Sequence, residues 1–147
     1  MKTAIIYTSI TGNTEELVQC IYRFCKHEYG SIDLFPIEAF DTKQLPTYDV
    51  VAVGTYSWEN GQIPIEMEEL FEAFEDKDVS HLITGVFGTG DSFYPYFCGA
   101  VDSFRDMLYV HTKLAVTLRV ELSPQHEDFE KCKLFSQRLM NSAYQNK

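Results

Sequence analysis

Three short segments concentrate the residue types that bind an anion and a flat ring. Thr8-Ser9-Ile10-Thr11-Gly12-Asn13-Thr14 gathers hydroxyls, an amide and a glycine between an apolar run and an amphipathic one. Hydroxyls and backbone N–H groups at the start of a helix form a pocket for an anion, and the helix dipole favours the negative charge. The segment contains no Lys or Arg, and Glu15 and Glu16 follow it. A nucleotide P-loop instead supplies a lysine and a magnesium-binding hydroxyl after its glycines. The two glutamates would repel a triphosphate, so the segment fits a single monoester phosphate held by neutral donors. The alternative is an ordinary capped loop.

The second segment, Gly54-Thr55-Tyr56-Ser57-Trp58-Glu59-Asn60-Gly61, holds the only tryptophan of the chain among turn residues. A lone Trp is by default a packing residue. Placed directly after a parallel strand and beside a phosphate pocket, it suits a stacking plate for a planar ring. The third is Gly88-Thr89-Gly90-Asp91-Ser92-Phe93-Tyr94-Pro95-Tyr96-Phe97-Cys98. Its glycines let the backbone approach a ligand closely, and aromatics crowd a short irregular stretch. Asp91 reads equally as a turn or helix-cap residue, and Phe93 is a surface aromatic with no assigned role. His27, His81, His111 and His126 are scattered without metal-ligand spacing, so no metal site is expected.

Bringing such segments together requires strands that end at one edge. Strand signals fall at 3–7, 31–37, 48–55, 81–88 and 113–120, and they alternate with helical ones. A helix over about 13–29 carries Leu17, Ile21 and Phe24 on one face. Ile63-Pro64 opens a second with Met67, Leu70, Phe71 and Phe74 inward, proline being comfortable at a first helical position. A third carries Ala100, Val101, Phe104 and Leu108, and Ser123-Pro124 caps a last one bearing Phe129, Cys132, Phe135 and Leu139. This alternation predicts an α/β chain with a five-stranded, parallel, doubly wound sheet. Strands one, three and four are continuously apolar, as buried central strands must be. Strand two contains Pro36, which cannot donate to a ladder and belongs at an edge. Strand five sets Leu114, Val116, Leu118 and Val120 against Lys113, Thr117 and Arg119, again edge-like. The order 2-1-3-4-5 satisfies all of this. It places the carboxyl ends of strands one, three and four, with their unusual segments, side by side.

Composition narrows the partners. The 147 residues are 45% hydrophobic and 23% charged, with a formal charge of −10. That suits one globular domain over 1–147. It argues against nucleic acid and against an anionic membrane surface, both of which would repel the chain. No apolar run approaches a membrane span, and Ala4-Ile5-Ile6-Tyr7 is too short for a signal-peptide core. Cys20, Cys25, Cys98 and Cys132 form no CxxC pair and fall where buried helix positions are expected, so reduced core thiols in a cytoplasmic protein are expected.

Taken together, Ser-x-Thr-Gly-Asn-Thr over 9–14, Ser57-Trp58, and Gly-Asp-x-x-Tyr-x-x-Phe-Cys-Gly-Ala-Val-Asp over 90–102 resemble the three FMN-binding loops of flavodoxins. The likeness runs over essentially the whole chain. No extra loop interrupts the last strand, which is similar to the short-chain branch. Flavodoxin is itself the standing example of the 2-1-3-4-5 order, with FMN at the switch point between strands one and three, so the flavodoxin-like fold restates a known rule. The resemblance implies that Ser9, Thr11, Asn13 and Thr14 hold the phosphate, with backbone donors from Ile10 and Gly12. It implies that Ser57 lies near the phosphate and ribityl chain, that Trp58 covers the inner ring face, and that Tyr94 stacks on the outer one. Backbone around Gly90, Asp91 and Tyr96 would meet the pyrimidine edge. Thr55, Tyr56, Glu59, Asn60, Gly61, Thr89, Phe97 and Cys98 complete the implied set. One departure stands out: many relatives have glycine where this chain has Glu59.

The implied activity is low-potential one-electron transfer by non-covalent FMN through its quinone, semiquinone and hydroquinone states, without a substrate of the protein's own. Partners would be a basic-faced reductase and acceptor redox proteins, met transiently by a monomer. Glu66, Glu68, Glu69, Asp91 and Asp102 would flank the flavin edge and attract such a face. An activator dedicated to one enzyme, such as ribonucleotide reductase, is the alternative; such proteins tend to be shorter and lack the Trp and Tyr pair. A flavin-free receiver module would need an acidic pair after strand one and an aspartate ending strand three, where this chain has Thr8-Ser9 and Thr55.

Overall fold

The computed structural model describes residues 1–10, 12–57, 60–91, 97–121 and 128–145. Five strands, β1 (Thr3–Tyr7), β2 (Asp33–Pro36), β3 (Val50–Tyr56), β4 (Ile83–Gly90) and β5 (Lys113–Glu121), alternate with four helices. These are α1 (Asn13–Tyr29), α2 (Glu68–Asp76), α3 (Gly99–His111) and α4 (Asp128–Gln145). All strand pairs are parallel and the order is β2-β1-β3-β4-β5, as the strand characters predict. The residues of β1 are buried throughout, and those of β3 and β4 up to their last. Pro36 closes β2 at the sheet edge, opposite Tyr7.

Successive strand residues point to opposite faces, so each central strand feeds two cores. Ile6, Val51, Val53 and Val86 pack with Leu70, Phe74, Phe104 and Leu108 under α2 and α3. Ile5, Ala52 and Phe87 pack with Leu17, Ile21, Phe135 and Leu139 under α1 and α4. Most of the stability of an amphipathic helix such as α1 comes from burying this face, at about 1.5–3 kcal/mol per large apolar side chain. Phe135 meets Phe87 edge-on at 5.4 Å, in space that Gly85 leaves open: a Cβ there would lie 2.8 Å from the Phe135 ring. Phe135→Ala would cost about 3–5 kcal/mol.

Four departures from the sequence reading have local causes. The alternation of β5 is broken where the register slips between Thr84 and Gly85, pairing them with Leu114 and Val116 and leaving Ala115 extra. Leu114 therefore packs toward α2 and α3, while Val116 and Leu118 face the α1–α4 side. Pro64 is extended (ψ 140°) and precedes a single 3-10 turn, Ile65–Met67, so α2 starts only at Glu68. Phe129 is 47% exposed, the rim of a groove rather than core. All four thiols are free and buried, but Cys98 sits in the turn before α3, at φ 54°, not inside a helix. The expected Ser123-Pro124 cap lies outside the described residues.

Candidate functional site

Register brings the ends of the three central strands level. Tyr7 pairs with Gly54, Thr55 with Gly88 and Tyr56 with Thr89. Thr8 extends the ladder, its N–H donating to Gly54 O at 3.0 Å. The loops that follow thus leave one edge of the sheet together, at the point where the chain direction of the winding reverses.

In the first loop Gly12 has φ 90°, a left-handed conformation that favours glycine, although a Cβ there would meet nothing within 4 Å. Ser9 Oγ accepts from the N–H of Gly12 (3.2 Å) and of Glu15 (3.3 Å), and its own O–H has no acceptor among the described residues. The Asn13 and Thr14 amides, in the first turn of α1, have no acceptor among the described residues; such orphan donors are the raw material of an anion site. Gly12 N–H, expected as a phosphate donor, is directed at Ser9 here. Ile10 is 61% exposed, and Thr11 lies outside the described residues. Thr14 is buried, and its hydroxyl shares a 2.8 Å hydrogen bond with that of Thr89, tying the first loop to the end of β4.

In the second loop Thr55 is buried and its hydroxyl donates to Tyr56 O at 2.9 Å, so its side chain serves the backbone. Ser57 Oγ accepts the Ala100 N–H at 3.0 Å, capping the first turn of α3 from the loop after the neighbouring strand β3. Asn60 is exposed and Gly61 has φ 78°. A Cβ on Gly99 would come within 2.5 Å of Gly61 Cα, so two glycines let this loop rest directly on the start of α3. Trp58 and Glu59 lie outside the described residues.

In the third loop Asp91 is half-buried, and Gly90 is packed so closely that a Cβ would stand 2.8 Å from Cys98 N. Phe97 packs into the α2–α3 core. The Cys98 thiol turns inward, 4.0 Å from Gly88 O and 3.9 Å from Val120 O. Burial pushes it up to about 12, against the opposing pull of Arg119 and of the hydrogen bond to Val120. Phe97 and Cys98 therefore offer a ligand their backbone rather than their side chains. Tyr94 and Tyr96 lie outside the described residues.

Glu66, expected to flank the flavin edge as part of a docking charge, accepts both the Thr8 hydroxyl and the Tyr56 phenol, each at 2.9 Å. Burial, and then this bond, raise the Tyr56 phenol well above its ordinary range. Asp102 is paired with Arg105 (3.2 Å) and Arg119 (3.5 Å), so its charge is largely compensated. Glu68 is exposed on α2, and Glu69 accepts from Thr42 at 3.5 Å. Beside the second loop, Gly61, Ile63, Ile65, Glu68, Phe71 and Ser103 line part of a cleft of about 630 Å³. No signal in the sequence links Glu66 to Thr8, 58 residues away.

The fold is an open parallel α/β sheet whose three candidate loops leave it together at the switch point between β1 and β3. The flavodoxin family model matches residues 5–134. "Probable flavodoxin 1" of Bacillus subtilis is 38% identical, over 99% of this chain and 95% of its own. Oxidised flavodoxin 1 of Bacillus cereus, solved by crystallography, superposes with a TM-score of 0.88 at 31% identity, covering 96% and 98% of the two chains. A Fusobacterium nucleatum flavodoxin variant, solved bound to flavin mononucleotide, shares the fold at 15% identity (TM-score 0.80, 96% of each chain). This chain belongs to the flavodoxin family. Among the described residues, no helix is long and apolar enough to cross a membrane and no cluster of His, Cys, Asp or Glu could hold a metal.

Proposed function

We propose that the chain is a one-electron carrier that holds one FMN non-covalently and has no substrate of its own. The observation that carries this is the donor set of the first loop. Ser9 Oγ gathers two amides, and the Asn13 and Thr14 amides have no acceptor among the described residues, at a helix N-terminus whose loop has no basic side chain. Neutral donors of this kind suit a monoester phosphate, and family membership supplies the rest. Bound FMN would supply reversible one-electron chemistry at its isoalloxazine ring.

The residues of the chain bind and orient. Ser9, Asn13 and Thr14, with Thr11, would hold the phosphate. Ser57 would donate its remaining proton toward the ribityl side while its oxygen caps α3. Trp58 and Tyr94 would stack on the ring, and backbone from Gly90 onward would meet its polar edge. Purified protein should be yellow and release FMN, not FAD, on denaturation. Colourless protein that ignores added FMN would overturn this reading.

Partners would be a basic-faced reductase and acceptor redox proteins in transient complexes. The net charge of −10 and the carboxylates of α2 support this, with Glu68 and Glu69 contributing more than the arginine-paired Asp102. Association rates should fall as ionic strength rises past roughly 0.1 M. Salt-independent rates would refute electrostatic docking.

A further inference from the structure

Glu66 reaches two loops at once. It lies in the turn Ile65–Met67, which is anchored by the fully buried Met67 side chain and by Met67 N–H donating to Pro64 O at 2.9 Å. A single carboxylate oxygen, Oε2, takes both hydroxyls: Thr8, which opens the first loop, and Tyr56, which ends β3 immediately before Ser57. Thr8 is 4% exposed and its amide is already fixed to Gly54, so its side chain has little freedom to find another partner. The carboxylate therefore spans the boundary between β1 and β3, where the two loops part.

We infer that Glu66 is a positioning residue that holds the phosphate-side loop and the ring-side loop at a fixed spacing, and so tunes the affinity for a ligand that must engage both. The inference rests on the FMN reading of the site. FMN has to satisfy both loops at once, whereas riboflavin, lacking the phosphate, engages only the ring side. The direction of the effect separates positioning from charge. Removing a carboxylate near a phosphate dianion would, by Coulomb's law alone, tighten binding. Loss of a shared acceptor would weaken it.

The test is a titration of flavin-free protein with FMN and with riboflavin, followed by flavin fluorescence. Glu66→Ala should weaken FMN binding about tenfold and riboflavin binding less than about threefold. Glu66→Gln, which keeps an acceptor oxygen without the charge, should restore most of the loss. Thr8→Val and Tyr56→Phe each break the bridge, so the double variant should bind FMN within about twofold of the weaker single one, far from additive. If Glu66→Ala fails to fold, the Thr8 and Tyr56 cycle decides alone. The inference is overturned if Glu66→Ala binds FMN as tightly as wild type or more so. Equal losses for both ligands, a Gln variant no better than Ala, or an additive double variant would overturn it as well. Wild-type protein indifferent to FMN would overturn the cofactor reading and this inference with it; normal wild-type binding with an unchanged Glu66→Ala overturns this inference alone.

Discussion

Replacing Gly99 by Ala sets two effects against each other. Gly99 begins α3, and its φ is not among the positive values found at Gly12, Gly30 and Gly61, so alanine can adopt its backbone. Helix propensity alone would then favour alanine by up to about 1 kcal/mol. Space opposes it. The added Cβ would stand 2.5 Å from Gly61 Cα and 2.8 Å from Gly61 O. Carbon atoms in contact rest at about 3.5–4.0 Å, so loop and helix must separate by roughly 1 Å. Overpacking of this kind costs about 1–3 kcal/mol, which outweighs propensity and leaves a net loss of about 1–2 kcal/mol. Where the loss appears depends on the loop. If Gly61 retreats in the flavin-free protein, folding stability is spared and the strain returns when FMN draws the loop back. A loss of 2 kcal/mol taken wholly on binding would be about thirtyfold in affinity. Urea denaturation of the flavin-free protein and FMN titration of the same preparations should therefore give losses that sum to about 1–2 kcal/mol. A variant that is more stable than wild type and binds FMN equally well would show that the Gly61–Gly99 approach constrains nothing.

Ser57→Ala removes the acceptor of the Ala100 N–H and should cost about 1 kcal/mol, lowering Tm by about 2–4 °C in calorimetry; an unchanged Tm would deny the cap. Trp58→Ala and Tyr94→Ala should each weaken FMN binding by about 1–3 kcal/mol while leaving the flavin-free protein folded. Melting of that protein by Trp58→Ala would mean that the ring packs rather than stacks. For Cys98 the folded state keeps a proton that the unfolded chain releases. Its contribution is complete below the ordinary 9.0 and is lost as pH rises through about 12. Stability measured across that window should decline less steeply in Cys98→Ala, and parallel declines would refute the assignment.

The sheet was legible because each strand carries its own environment. Val50-Val51-Ala52-Val53 has no polar face and can only be central, and Pro36 can only be at an edge. The slip beside Gly85 was not legible, because the alternation of β5 records its own faces and not its partner's register. The loops were found from residue type, but the bonds joining them were not. Ser57 caps a helix 43 residues on and Glu66 reaches back 58, and no local spacing rule covers either distance. The burial of Cys98 was legible from its residue type, but its left-handed backbone at φ 54° was not, because a positive φ at a non-glycine residue leaves no mark in the sequence.

The packing of α4 has a consequence for synthesis. Cys132, Phe135, Leu139, Met140 and Ala143 together cover the face on which Ile5, Ala52 and Phe87 lie. A nascent chain that has already made all five strands still lacks that cover. At roughly 5–20 residues per second, the ribosome takes about a second or more to add it. During that interval the half-covered slab is what a chaperone or protease meets. A product terminated upstream of Asp128 would present it permanently, so loss of this one helix should route the protein to degradation even though every residue of the three loops had been made.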